Sequence, residues 1–346
     1  MLKIRSLSAL RGIAALLVAI DHVILKASGC TPDSALFYVA TFLGSFGVGS
    51  FFLLSGFVIY LSLEKTTSLE FLWHRIMRVY PVIVVAVAIR LVSQLMIGQR
   101  TPDLATFKLF LLNISLFGNM VVNVEDNIEP IVWTLAIEVK FYIIMAMIVG
   151  LSRAPWRLPM VPILFFVAVA LALAGILSPL IGSPASVDWA LTVSALPVLF
   201  IGVAASMHYR KLISLNLFFA LGVALLLALS FAPITDNVSF AKNFTAWILA
   251  ALLFWCCLYS ARVQSLLDQR WTMLLGAISY PLYAIHTAVI EALVYLNHGS
   301  GASALFLRGI ILALLAAYGL HRLVEDPAQR WVKKSALRQV QVAAKI

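Results

Sequence analysis

Residues 7–27 read LSALRGIAALLVAIDHVILKA, an apolar run of membrane-crossing length that carries Arg11, Asp21 and His22 inside it. About 20 mainly apolar residues take a helix across the ~30 Å hydrocarbon core of a bilayer, and this run supplies them. It has no small-residue cleavage site, so it reads as a retained first span and not a removable leader. On a helix, Arg11 and His22 stand eleven residues apart, which is about 20° from alignment and roughly 16 Å along the axis. Both project from one face.

Outward from this run, apolar windows recur near 38–62, 79–98, 107–122, 131–151, 160–181, 190–207, 213–232, 243–260, 274–296 and 304–322, making eleven candidates in all. The composition agrees, with 62% hydrophobic and 12% charged residues and a mean hydropathy of +1.01. Such a chain cannot clothe a water-facing globule of 346 residues. A soluble enzyme, a disordered regulator and a basic nucleic-acid-binding module are excluded. The expected fold is all-α, a polytopic membrane protein.

The net charge of +10 reports topology, since Lys and Arg gather in cytoplasmic loops. Eleven crossings would put two basic ends on opposite sides, so one window is expected not to cross. The shortest, 107–122, is assigned as a re-entrant or interfacial helix, which also keeps Glu125, Asp126 and Glu129 outside. Ten transmembrane helices with both termini cytoplasmic then place 18 of the 25 basic residues inside. The other seven are Lys26, Arg90, Arg100, Lys108, Lys140, Lys242 and Arg308. Three cysteines, Cys30, Cys256 and Cys257, show no metal-ligand spacing, and no metal is expected.

Ionisable groups inside spans are costly and point to function by default. Arg11 and His22 suit a polar shaft, although Arg11 reaching the inner headgroups and His22 packing against a neighbour fit equally well. In FLWHRIMRVYP, residues 71–81, Arg75 and Arg78 stand one turn apart at a cytoplasmic entrance. They suit the phosphates of a cytoplasmic ligand or anionic lipid headgroups, the latter ahead on this pair alone. In WTLAIEVKFY, residues 133–142, Glu138 needs a partner, with His22, Lys140 and Arg90 as candidates. Ser279, Tyr283 and His286 form a polar stripe at i, i+4 and i+7, lining the shaft or packing by hydrogen bonds. Glu291 and Arg308 have no assigned role.

Six stretches in order, SLSALRGIAALLVAIDHV, FFLLSGFVIY, HRIMRVYP, WTLAIEVKFY, ISYPLYAIH and HRLVEDP, resemble the acyltransferase-three family of integral membrane acyltransferases along nearly the whole chain. The resemblance implies one transmembrane acyltransferase domain over 1–327 with a short basic tail over 328–346. It implies transfer of an acyl group, most often acetyl, from cytoplasmic acyl-coenzyme A to a hydroxyl of a carbohydrate or similar acceptor, in a bacterial inner membrane. By position it assigns Arg11 and His22 to the essential pair, Arg75 and Arg78 to the donor site, and Glu138 to the motif glutamate. Val139 and Lys140 depart from the Glu-Gln that often follows that glutamate.

A mechanism follows as an expectation. Arg75 and Arg78 hold the coenzyme A phosphates, the pantetheine arm runs past Arg11, and His22 acts as general base or accepts the acyl group. Asp21 is the immediate neighbour of His22 and should not share its face, so Glu138 is preferred as the group that orients the ring. Arg11 either polarises the thioester carbonyl or holds the donor. The rival class is a secondary transporter or exporter of a small anion or glycan precursor, which also needs paired charges inside the membrane. A purely structural protein leaves Arg11, His22 and Glu138 unexplained.

Overall fold

Each apolar window holds a helix among its described residues, since in lipid only a helix or a closed barrel satisfies every backbone N–H and C=O internally. The computed structural model describes residues 4–63, 66–117, 127–153, 160–177, 187–230, 237–296 and 301–332, and among these the regular structure is helical throughout. In chain order the helices are α1 (Arg5–Ala27), α2 (Ala35–Leu63), α3 (Ser68–Met96), α4 (Leu104–Ser115), α5 (Val132–Arg153), α6 (Met160–Leu177), α7 (Val187–Tyr209), α8 (Leu215–Ser230), α9 (Asn237–Tyr259), α10 (Ala261–Leu267), α11 (Arg270–Leu296) and α12 (Ala302–Leu320). A π turn over His321–Glu325 extends α12.

Among the described residues, seven of these helices are long and apolar enough to cross a membrane: α1, α2, α3, α5, α7, α11 and α12 with its continuation to Val332. An eighth is obtained if α9 and α10 are one broken span, bent by 96°. The expected ten therefore stand at seven or eight. The windows at 160–181 and 213–232 hold α6 and α8, whose described apolar parts, Met160–Ala174 and Leu215–Leu227, are shorter. The α4 helix has 12 residues, about 18 Å against a ~30 Å core. It opens on Asp103, whose carboxylate accepts from the Thr106 N–H at 2.8 Å, and closes at Leu116 with a left-handed φ of 61°. Glu125, Asp126 and the basic ends at Lys3 and 333–346 lie outside the described residues.

The centre of the bundle is α1, packed most closely on α11 and α2. Small residues permit this approach, as they do between helices in membranes generally. A Cβ on Gly12 would stand 2.5 Å from the backbone nitrogen of Gly276. The α2–α7 crossing repeats the device with Gly56 against Leu199 and Gly202. Around the first crossing lies an alanine-rich core with Ala15, Ala19, Ala86, Ala284 and Ala317, while Phe57, Phe71, Phe141 and Phe200 anchor a second core among α2, α3, α5 and α7. Exposed side chains such as Ile89, Val92, Leu307 and Leu315 are apolar, whereas Arg75, Arg90, Asp21 and Glu129 are buried. Polar groups turn inward and apolar ones outward, as lipid demands.

Candidate active site

The site is built on α1, α3, α5 and α11, and its polar groups are stacked in levels along the bundle. At the first level Arg11 donates from Nη2 to the Gly276 carbonyl at 2.8 Å. Ser279 donates to the same oxygen at 3.0 Å. The close crossing of α1 and α11 brings that carbonyl within reach, and Arg11 Nε is buried without a hydrogen bond. Arg11 interacts electrostatically with Arg78, Glu325, Glu138 and Arg75. The three arginines and Glu138 therefore share one neighbourhood, joined by Glu325 from the π turn. Glu325 also holds His321, at 2.7 Å.

Arg75 and Arg78 differ in their surroundings. Arg75 is buried, donates to Ser62 Oγ at 2.9 Å, and lies over the rings of Phe71 and Tyr142 at 5.2 and 5.6 Å. Arg78 is half-buried and more open. Spacing places both on one face but cannot show that the ring pair covers one of them.

Glu138 accepts hydrogen bonds from Ser55 and Tyr142. Two of its three candidate partners from the sequence engage other groups. Lys140 Nζ donates to Thr192 at 3.1 Å, and Arg90 lies between Glu129 and Glu291. Ser55 sits on a different helix, 83 positions away, so no local pattern announced it. Beside Glu138 is a cavity of about 40 Å3, lined in part by Phe51, Thr134, Tyr280 and Tyr283. That volume holds roughly three or four waters at ~10–15 Å3 each.

The stripe on α11 is buried. Tyr283 faces the cavity and meets Thr134 Oγ1 at 2.7 Å. Thr134 donates to the Ile131 carbonyl at 2.9 Å, so the Tyr283 hydroxyl is the donor in that pair. His286 places Nδ1 at 3.1 and 2.9 Å from the Leu282 and Tyr283 carbonyls. Carbonyls only accept, so Nδ1 carries the proton and Nε2 keeps its lone pair. That Nε2 is buried with no hydrogen bond.

His22 repeats this arrangement. Its Nδ1 lies 2.9 Å from the Val18 carbonyl, which leaves Nε2 as the free base. Its ring meets His286 edge-on, with centroids 4.9 Å apart. The carboxylate nearest the ring is Asp21, with Oδ2 3.6 Å from Nδ1. Glu138, the expected orienting group, is held instead at the level of the arginines. Gly44 of α2 leaves room for the Asp21 carboxylate beside it. His22 retains 32% side-chain exposure, enough to be reached.

At the outermost level the sequence reading missed a cluster. Arg90 lies 3.5 Å from Glu129 and 3.0 Å from Glu291, and Thr287 donates to both Glu129 oxygens at 2.7 Å. Arg90 and Glu291 could be recognised as charges inside spans, but Glu129 reads as a loop acid. Their meeting joins segments far apart in sequence, with Thr287 and Glu129 separated by 158 positions.

The acyltransferase-three family model, an acyltransferase domain, matches residues 4–322. No curated protein and no solved structure matches the chain. The matched region takes in every site residue just described except Glu325, and the chain accordingly belongs to this family of membrane acyltransferases.

Proposed function

We propose that this protein transfers an acyl group, most simply acetyl, from cytoplasmic acyl-coenzyme A to a hydroxyl of a carbohydrate acceptor on the far side of a bacterial inner membrane. In this reading α6 and α8 also cross, and ten spans leave both termini cytoplasmic. The observation that carries the reading is the state of His22. Its Nδ1 proton is committed to Val18 and its Nε2 is open, on the same helix face as Arg11.

The acceptor hydroxyl gives its proton to His22 Nε2 as its oxygen attacks the thioester carbonyl. The C–S bond then breaks, and the departing thiolate takes the proton back from His22. Imidazolium formed in passing is stabilised by Asp21 at 3.6 Å and by the Val18 carbonyl. The helical rise of roughly 16 Å between Arg11 and His22 means that one thioester carbonyl does not touch both. Arg11 therefore holds the donor, with Arg78 at the phosphates and the extended pantetheine arm bridging towards His22. Arg75, clamped by Ser62, Phe71 and Tyr142, positions this wall and leaves the phosphates to its neighbour.

The test is release of free thiol from acetyl-coenzyme A by the purified protein, which a carrier would not produce. Arg78→Ala raises the apparent donor KM about tenfold with kcat nearly unchanged, since a binding contact remote from the chemistry is lost. Unchanged donor dependence would return Arg78 to lipid headgroups. Arg75→Ala instead lowers the thermal unfolding midpoint, because it strips a buried cation from its hydrogen bond and two rings.

A further inference from the structure

Between the arginine level and the histidine level the bundle is not filled. The cavity of about 40 Å3 beside Glu138 has apolar walls apart from Glu138, Thr134, Tyr280 and Tyr283. Contacts fix its height. Arg11 is bonded to the Gly276 carbonyl and the His22 ring meets His286, so Tyr280 and Tyr283 stand between the two levels on α11. The Tyr283 ring lies 5.9 Å from the His286 ring. It also packs with Val18, whose carbonyl accepts from His22. The cavity thus lies at the height that the donor arm crosses in the mechanism above.

The hydroxyl protons around it are already given away. Tyr280 donates to the Val79 carbonyl at 2.7 Å, Tyr283 donates to Thr134 at 2.7 Å, and Thr134 donates to the Ile131 carbonyl at 2.9 Å. The walls therefore offer oxygen lone pairs, and the ligand segment that suits them is an N–H donor. In the donor, two methylenes separate the thioester sulfur from the first amide nitrogen, about 4 Å at ordinary bond lengths. Tyr283 stands three residues before His286, about 4.5 Å along the helix axis. A thioester at His22 thus sets that amide beside Tyr283, with Tyr280 nearly a turn nearer the cytoplasm. We infer that Tyr283 is a donor-positioning residue, whose hydroxyl oxygen accepts the N–H of the pantetheine amide nearest the sulfur while its own proton stays on Thr134. The amide carbonyl turns to water in the remaining space. This rests on the acyltransferase reading above and adds to it the contact that sets how deep the thioester reaches.

The experiment follows thiol release by the full chain in detergent from two donors, acetyl-coenzyme A and an analogue in which an ester oxygen replaces that amide N–H. The analogue keeps the phosphates and the length of the arm, so Arg11 and Arg78 hold both. With the unaltered protein its KM is about tenfold higher, the worth of one hydrogen bond in a site closed to bulk water. Tyr283→Phe keeps the ring against Phe51 and His286 and brings the two KM values within threefold by raising that of acetyl-coenzyme A. A role in packing alone would move both donors together. Should that variant not fold, Thr134→Val removes the anchor of the hydroxyl and carries the same comparison. Equal KM values with the unaltered protein, an analogue it does not turn over, or a difference that survives in the variant overturns the contact. In each of those cases thiol release from acetyl-coenzyme A keeps the transferase reading alive. Absence of release from acetyl-coenzyme A removes both.

Discussion

His22→Ala lowers thiol release and acyl transfer by at least about a thousandfold, the upper range for removal of a positioned general base, while the protein still folds and inserts. The folding half of this expectation comes from the contacts. Among the described residues the ring hydrogen-bonds only to Val18 in its own helix, so the alanine leaves behind no orphaned partner on another described helix. Arg11 keeps its grip on Gly276, and the α1–α11 crossing is untouched. The functional half comes from the free Nε2, which His286 does not replace because its side chain is fully buried. Detergent-solubilised protein with an unchanged unfolding midpoint and no thiol release is the expected pair of measurements. A fully active His22→Ala protein would remove His22 from the chemistry and the mechanism with it.

Much of this site could be read in one dimension because α1 carries two of its groups on one face. The spacing of Arg11 and His22 needs only the helical period. The eleven apolar windows likewise find helices, since hydropathy alone tells where a lipid-facing helix is affordable. What escaped depends on contacts between distant segments. Glu138 is held by Ser55 of α2, Arg90 meets Glu129 and Glu291, and Arg75 is covered by Tyr142 of α5. Asp21 escaped for a subtler reason. Adjacent positions point 100° apart on a helix, yet a carboxylate and an imidazole are long enough to curl within 3.6 Å. Span number is blurred at α9 and α10, where Ser260 caps a new helix and the chain turns by 96° at the end of the apolar window 243–260.

Gly276→Leu is expected to cost the protein both its stability and its activity, although it changes no ionisable group. A Cβ at this position would meet the Ser8 carbonyl of α1, a backbone atom that cannot rotate away. The helices must separate, and overpacking of this kind costs about 1–3 kcal/mol or more. Separation lengthens the Arg11 bond to the Gly276 carbonyl, now 2.8 Å, and draws His22 away from His286. The donor-holding arginine and the base then lose their register together, and a misplacement of about 1 Å can cost about a hundredfold in rate. Gly222→Ala is the matched control, because a Cβ on Gly222 of α8 meets nothing within 4 Å. There alanine gains up to about 1 kcal/mol of helix propensity and activity persists. Thermal unfolding in detergent and thiol release on the two variants separate the outcomes. If Gly276→Leu unfolds at the unaltered temperature with full activity, the close α1–α11 crossing does not organise the site.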